Sequence, residues 1–264
     1  MDLKLIKKVL GYYLPNIFTL LLSFGSLPLT TYILGPDDFG FFALVFTVAE
    51  VIKNLSLASV GVILNSYLLK IDQHERDQLI SSSLIYSGLS AIVLGAIGFI
   101  ILQFILPFIW TINDEYRLAI LLTIGIGFLD FPWLIGLHVI VLDGRSRIYA
   151  IVTIVKAIMN TLGVLFCLYI LNMGMISLFL GSFISSVSTF VLSLWILFPD
   201  LTRVRDFAWL SMMLKRLPVF SIANLLETGK NALERSMLSY DGNFTNLGYY
   251  MHAQTYSGKM FQII

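Results

Sequence analysis

Seven complete apolar segments and one interrupted one follow each other along the chain. They lie at about residues 10–34, 39–64, 79–109, 117–141, 148–171, 174–198, 217–240 and 247–264, and each is long enough to cross a bilayer. In hydrocarbon a backbone N–H or C=O finds no water, so a segment of this length must bond to itself as a helix. The chain therefore specifies an all-α fold, a polytopic transmembrane helix bundle. Composition agrees: 58% of residues are hydrophobic and 12% charged, against roughly 25% charged in soluble domains. The first apolar run follows Lys4, Lys7 and Lys8 and continues to Leu34 without a small-residue cleavage site, which makes it a membrane helix rather than a signal peptide. Cys167 is alone, so it forms no intrachain disulfide, and it lacks the His and Cys neighbours of a metal or redox site. No cofactor and no metal are expected, and a net charge of +1 gives no reason to expect nucleic acid.

The basic residues between segments are sorted by side. Lys4, Lys7, Lys8, Lys70, Arg76, Arg145, Arg147, Arg203, Arg205, Lys215 and Arg216 fall in alternate connections, and Arg117 stands alone on the other side. The positive-inside rule then predicts a cytoplasmic N-terminus. Outer connections such as Gly35-Pro36-Asp37-Asp38 and Asn172-Met173 are too short to house a catalytic domain, so an enzyme is not expected. The longest inner connection, 200–216, mixes Phe207, Trp209, Leu210, Met212 and Met213 with basic residues, as an amphipathic helix at the cytoplasmic interface would. It divides the chain into a six-helix lobe at 1–199, an interfacial linker at 200–216, and two helices of an incomplete second lobe at 217–264.

Five further cations, Lys53, Lys156, Lys230, Arg235 and Lys259, lie inside membrane segments. In the seventh segment Asn224, Glu227, Lys230, Asn231, Glu234 and Arg235 share an arc of about 140° on a helix. A charge at mid-membrane costs roughly 2.5 to 3.5 kcal/mol, so four of them facing lipid would cost on the order of 10 kcal/mol. The face must look into the bundle or a hydrated cavity, with Lys230 paired to Glu227 and Glu234. Two readings fit, an ion-pair stripe that glues helices together and a solute pathway. In the second segment Glu50, Lys53 and Asn54, with Thr47, Gly61 and Asn65 near the same face, should oppose it. Lys156 and Asn160 form a similar stripe in the fifth segment. Asp130 precedes Pro132, which should kink the fourth segment and free a carbonyl; an acid there suits a proton or sodium site, or a capped bend. His138 should snorkel toward the inner end. Asp143-Gly144-Arg145-Ser146-Arg147 reads as a topology anchor and lipid-headgroup contact.

A weak repeat joins the two ends of the chain. Pro15 matches Pro218, and Phe39-Gly40-Phe41-Phe42 matches Leu247-Gly248-Tyr249-Tyr250. Six helices separate the copies, so the repeats are parallel, with an axis along the membrane normal. Lys259 then falls within two residues of the position equivalent to Lys53.

The run Thr31-Tyr32-Ile33-Leu34-Gly35-Pro36-Asp37-Asp38-Phe39-Gly40-Phe41-Phe42-Ala43, followed by an apolar helix, resembles the first hairpin of the polysaccharide flippases of the Wzx type. These belong to the superfamily of multidrug and toxin extruders (MATE) and lipid II flippases. The resemblance implies a MATE-like six-helix first lobe facing a second across a V-shaped cavity. It implies export of a polyprenyl-pyrophosphate-linked oligosaccharide across the bacterial inner membrane by alternating access, for polysaccharide biosynthesis such as that of lipopolysaccharide. Expected partners are that lipid-linked sugar, membrane lipids and other membrane proteins of polysaccharide assembly. The pyrophosphate would be drawn to Lys53, Lys230, Arg235 and Lys259, with Asn231 and Lys156 beside them. Glu50, Asp130, Glu227 and Glu234 are the ion-coupling candidates. The chain is expected to stop within what would be the eighth helix and so not to work alone. The alternatives are a cation-coupled multidrug exporter of the same fold, which would centre on acidic groups, and a membrane glycosyltransferase or polymerase, which would need a longer polar loop.

Overall fold

In the computed structural model residues 3–100, 104, 114–201, 207–238 and 244–261 are described. Every regular element among them is helical: α1 Leu3–Ile33, α2 Pro36–Ser56, α3 Val60–Tyr67, α4 Gln73–Ile100, α5 Asp114–Leu129, α6 Phe131–Leu142, α7 Ser146–Tyr169, α8 Ile176–Leu197, α9 Ala208–Leu238 and α10 Phe244–Phe261. Six spans are long and apolar enough to cross a membrane: Val9–Ile33, Pro36–Ser56, Gln73–Ile100, Tyr116–Leu142, Ser146–Tyr169 and Ile176–Asp200. The protein is an all-α, multi-pass membrane bundle.

Three boundaries differ from the sequence reading. The expected continuous helix at 39–64 is two helices, α2 and α3, broken at Leu57-Ala58-Ser59. No proline or glycine marks the break, so periodicity could not reveal it. Residues 208–216, expected in a separate interfacial linker, belong to α9, which runs on through Pro218. And α9 and α10 are not among the six apolar spans, because Asn, Gln, Lys and Glu interrupt them. The expected bend before Pro132 is present: α5 ends at Leu129, α6 starts at Phe131, and Asp130 is the junction.

α2 is the middle of the bundle, packed on α4, α5, α9 and α10; α8 lies between α5, α6 and α7, and α7 carries α1. Ile52, Val60, Ile63, Leu64, Leu79, Ile80 and Ile135 form the main buried cluster between α2, α3, α4 and α6. Gly11 meets Ser146, and the Tyr169 hydroxyl donates to the Leu29 carbonyl at 2.8 Å, so α1 and α7 run in the same direction. Arg235 meets Thr47 and Asn224 meets Asn54, so α9 runs against α2. Both senses are those of helices that cross alternately. The basic connections also meet at one end. Arg76, at the start of α4, donates to both carboxylate oxygens of Asp143 at 2.8 Å, and Arg145 reaches Asp143 at 2.9 Å. Asp143, read from the sequence as part of a basic anchor, thus clamps the α6–α7 turn to α4.

α2 and α10 touch through their backbones. A Cβ built on Gly248 would fall on the Pro36 carbonyl, and one built on Gly40 on the Phe244 carbonyl. Only glycine lets the helices come this close. The pairing is reciprocal: the repeat that equates Gly40 with Gly248 also equates Pro36 with Phe244, so a local two-fold exchanges the two contacts. Asp37 and Thr245, equivalent under the same shift, hydrogen-bond each other, as two residues astride a two-fold axis can.

Candidate functional site

The polar face of α9 does meet the polar face of α2, but it divides the predicted arc into two groups. Arg235 turns toward α2. Its Nη1 donates to Glu50 Oε2 at 2.9 Å, Thr47 Oγ1 at 2.7 Å and the Ala43 carbonyl at 3.3 Å, and only 6% of the residue is exposed. Thr47 and Glu50 present themselves together because residues three apart share a helix face, and Ala43, a turn earlier, has no bulk to keep the guanidinium away. Asn224, three turns from Arg235, donates its amide to the Asn54 carbonyl at 3.3 Å. That carbonyl is within the last turn of α2, where the break before α3 leaves acceptors without intrahelical partners. Ser56 satisfies another, bonding the Lys53 carbonyl at 2.9 Å.

Lys230 and Glu234 form the second group. They pair at 3.8 Å, as the i, i+4 spacing predicts, but on an open flank, with 73% of the Lys230 side chain exposed. Glu234 also accepts from the Tyr250 hydroxyl of α10 at 2.9 Å, a partner no pattern in the sequence indicated. The side chains of Glu227, Asn231 and Lys259 lie outside the described set.

Between α5, α6, α7 and α8 the structure joins two residues that the sequence reading had kept apart. Asp130, at the helix junction and 6% exposed, accepts from the Ser186 hydroxyl at 2.8 Å and pairs with Lys156 at 3.6 Å. The Lys156 ammonium also sits 5.0 Å from the centroid of Trp133, a cation–π arrangement. Asp130 and Lys156 are twenty-six residues apart on successive membrane segments, a separation at which no helical spacing rule pairs side chains. Among the described residues no carboxylate pairs with Lys53. His138 does not extend to the end of the bundle: its Nδ1 lies 2.8 Å from the Leu134 carbonyl and its ring packs over Gly61 of α3.

Asn160, one turn beyond Lys156, helps line a cavity of about 240 Å³ with Ser23, Ser26, Thr30 and Thr161. Ser23, Ser26 and Thr30 each donate to a carbonyl of α1 itself, so they offer the cavity mainly lone pairs. Among the described residues no group of three His, Cys, Asp or Glu side chains is placed to hold a metal ion.

The Asp130–Lys156 pair makes a sharp prediction. Asp130→Asn leaves a largely buried ammonium without its carboxylate and should destabilise the protein by roughly 3 kcal/mol. Adding Lys156→Met should return most of that loss. Melting in detergent measures both, and an Asp130→Asn protein as stable as wild type would show that the pair holds nothing.

Compared with models of protein families, with curated proteins and with solved structures, the chain matches none.

Proposed function

We propose that this chain is a flippase or exporter, not an enzyme, that carries an anionic lipid-linked oligosaccharide across the bacterial inner membrane by alternating access. The observation that carries the reading is Lys53. It is partly buried on the polar face of α2 and has no acid partner among the described residues. An uncompensated intramembrane cation is costly and is retained where an anion visits. The breaks at Leu57-Ala58-Ser59 and Asp130 support the same reading, because interrupted membrane helices border solute sites. In this reading Lys53, with Lys230 and Lys259, draws the pyrophosphate, and Arg235 holds α2 and α9 in the geometry that lets them share it. The basic end of the bundle, with the N-terminus, faces the cytoplasm.

Lys53→Gln tests it. Losing a charge-assisted bond to phosphate costs about 1.5 to 3 kcal/mol, so export of lipid-linked sugar should fall roughly ten- to a hundredfold. The melting temperature should not fall, since no ion pair among the described residues is broken. Unchanged export would remove Lys53 from the pathway. The runner-up, a cation-coupled drug exporter, rests on buried Asp130; it would leave drug efflux intact in Lys53→Gln and lose it in Asp130→Asn with Lys156→Met.

A further inference from the structure

The cavity of about 240 Å³ that Asn160 borders is built from α1, α2, α7, α8 and α10, and its walls are of three kinds. Ser23, Ser26 and Thr30 recur at i, i+3 and i+7 on one face of α1, and each hydroxyl proton is committed to a carbonyl of its own helix. This wall therefore accepts. Asn160 and Thr161 form the α7 wall, and among the described residues neither the amide nor the hydroxyl has a hydrogen-bond partner. Phe39 and Phe42 of α2, with Met251 of α10, make the third wall apolar. No residue lining the cavity is charged. The site is apart from Arg235 and Glu50: it lies by the last turn of α1 and the first turn of α8, at the end of the bundle away from the Arg76–Asp143 clamp.

We propose that this cavity is a binding site for one neutral sugar ring. An amide and a hydroxyl without partners are costly inside a membrane bundle, so a ligand that meets them is favoured. It must donate to the α1 oxygens, exchange bonds in both senses with Asn160 and Thr161, and turn C–H surface to the phenylalanines. A pyranose does all three, with hydroxyls around its rim and apolar faces, and mostly apolar pockets with a few converging polar groups are the usual form of small-ligand sites. Other occupants fit less well. A cation uses only oxygens and leaves the Asn160 N–H groups unmet, an anion finds no positive charge, and an acyl chain satisfies none of the polar atoms. In the transport reading the ring belongs to the lipid-linked oligosaccharide. That identification rests on the transport reading, whereas the sugar site does not.

The test is binding of free sugars by the whole chain in phospholipid nanodiscs, without glycoside detergent, titrated by saturation-transfer NMR. Glucose, galactose and N-acetylglucosamine are the probes, and glucuronate is the charged control. At least one neutral ring should bind with a dissociation constant of about 1 mM, and glucuronate roughly tenfold more weakly or worse. Asn160→Leu should weaken binding roughly tenfold, and Thr161→Val, which keeps the shape and removes the hydroxyl, roughly threefold. Should Asn160→Leu not fold, Thr161→Val still decides. Octyl glucoside below its micellar concentration separates the two sources of a ring: binding at least as tight as that of glucose is expected for a ring carried on a lipid, and its exclusion assigns the cavity to a free sugar. Failure of all three neutral sugars to bind would overturn the proposal, as would an affinity unchanged in Thr161→Val or displacement of the sugar by sodium chloride. Export is not measured, so a failed transport reading leaves this result standing, and a failed sugar site leaves the Lys53→Gln test standing.

Discussion

Glu50→Gln is expected to be among the most damaging single substitutions in the protein, and more damaging than Arg235→Gln. Arg235 is 6% exposed and the Glu50 side chain 29%. Removing the carboxylate strands a guanidinium that cannot reach water, a loss of about 3 to 5 kcal/mol. Removing the guanidinium strands a carboxylate that can still be partly hydrated, so the loss should be smaller. The double variant Glu50→Gln with Arg235→Gln should be more stable than Glu50→Gln alone, because no charge is left unpaired. A melting series in detergent over the four proteins gives the coupling directly. Glu50→Gln melting with the wild type would show that the pair does not hold α9 to α2. The result also separates two roles within the seventh apolar segment: Arg235 anchors the helix, whereas Lys230, on its open flank, can be neutralised at little cost to stability, since exposed i, i+4 pairs contribute only about 0.3 to 0.5 kcal/mol.

Gly248→Ala and Gly40→Ala should each loosen α10 from α2, although each adds a single methyl group. At both positions the added carbon would land on a backbone carbonyl, which cannot rotate away as a side chain would. Overpacking of this kind costs about 1 to 3 kcal/mol, more when a backbone must move. Gly229→Ala is the control, because nothing lies within 4 Å of a Cβ built there. There the helix should gain up to about 1 kcal/mol from the change. The helix–helix contact can be read separately from global stability. Cysteines replacing Asp37 and Thr245, which hydrogen-bond across the contact, should crosslink in the wild-type background and fail to do so with Gly248→Ala. Crosslinking that persists would mean that the close approach is not needed to seat α10.

The two predictions draw on different kinds of information. Gly40 and Gly248 were visible in the sequence as matched positions of a weak repeat. That each matched glycine admits the backbone of the other helix follows only from the fold, since a repeat states equivalence and not contact. Arg235 and Glu50 were each recognised as charges that could not face lipid. Their pairing needed the antiparallel placement of α9 on α2, because either could have met another ion of its own helix.

By itself the sequence determined that this protein is an all-α membrane bundle, roughly where its helices lie, that the fourth segment bends before Pro132, and that Glu50 and Arg235 could not face lipid. These properties follow from backbone hydrogen bonding and desolvation, which act on each segment whatever its neighbours. The tertiary structure alone decided that Asp130 is neutralised by Lys156, that Arg76 clamps Asp143, that Tyr250 holds Glu234, and that the second segment breaks at Leu57-Ala58-Ser59. Each depends on which helices pack side by side. A charge buried in hydrocarbon requires a partner, but the chain states only the requirement, and packing selects which of the available ions meets it.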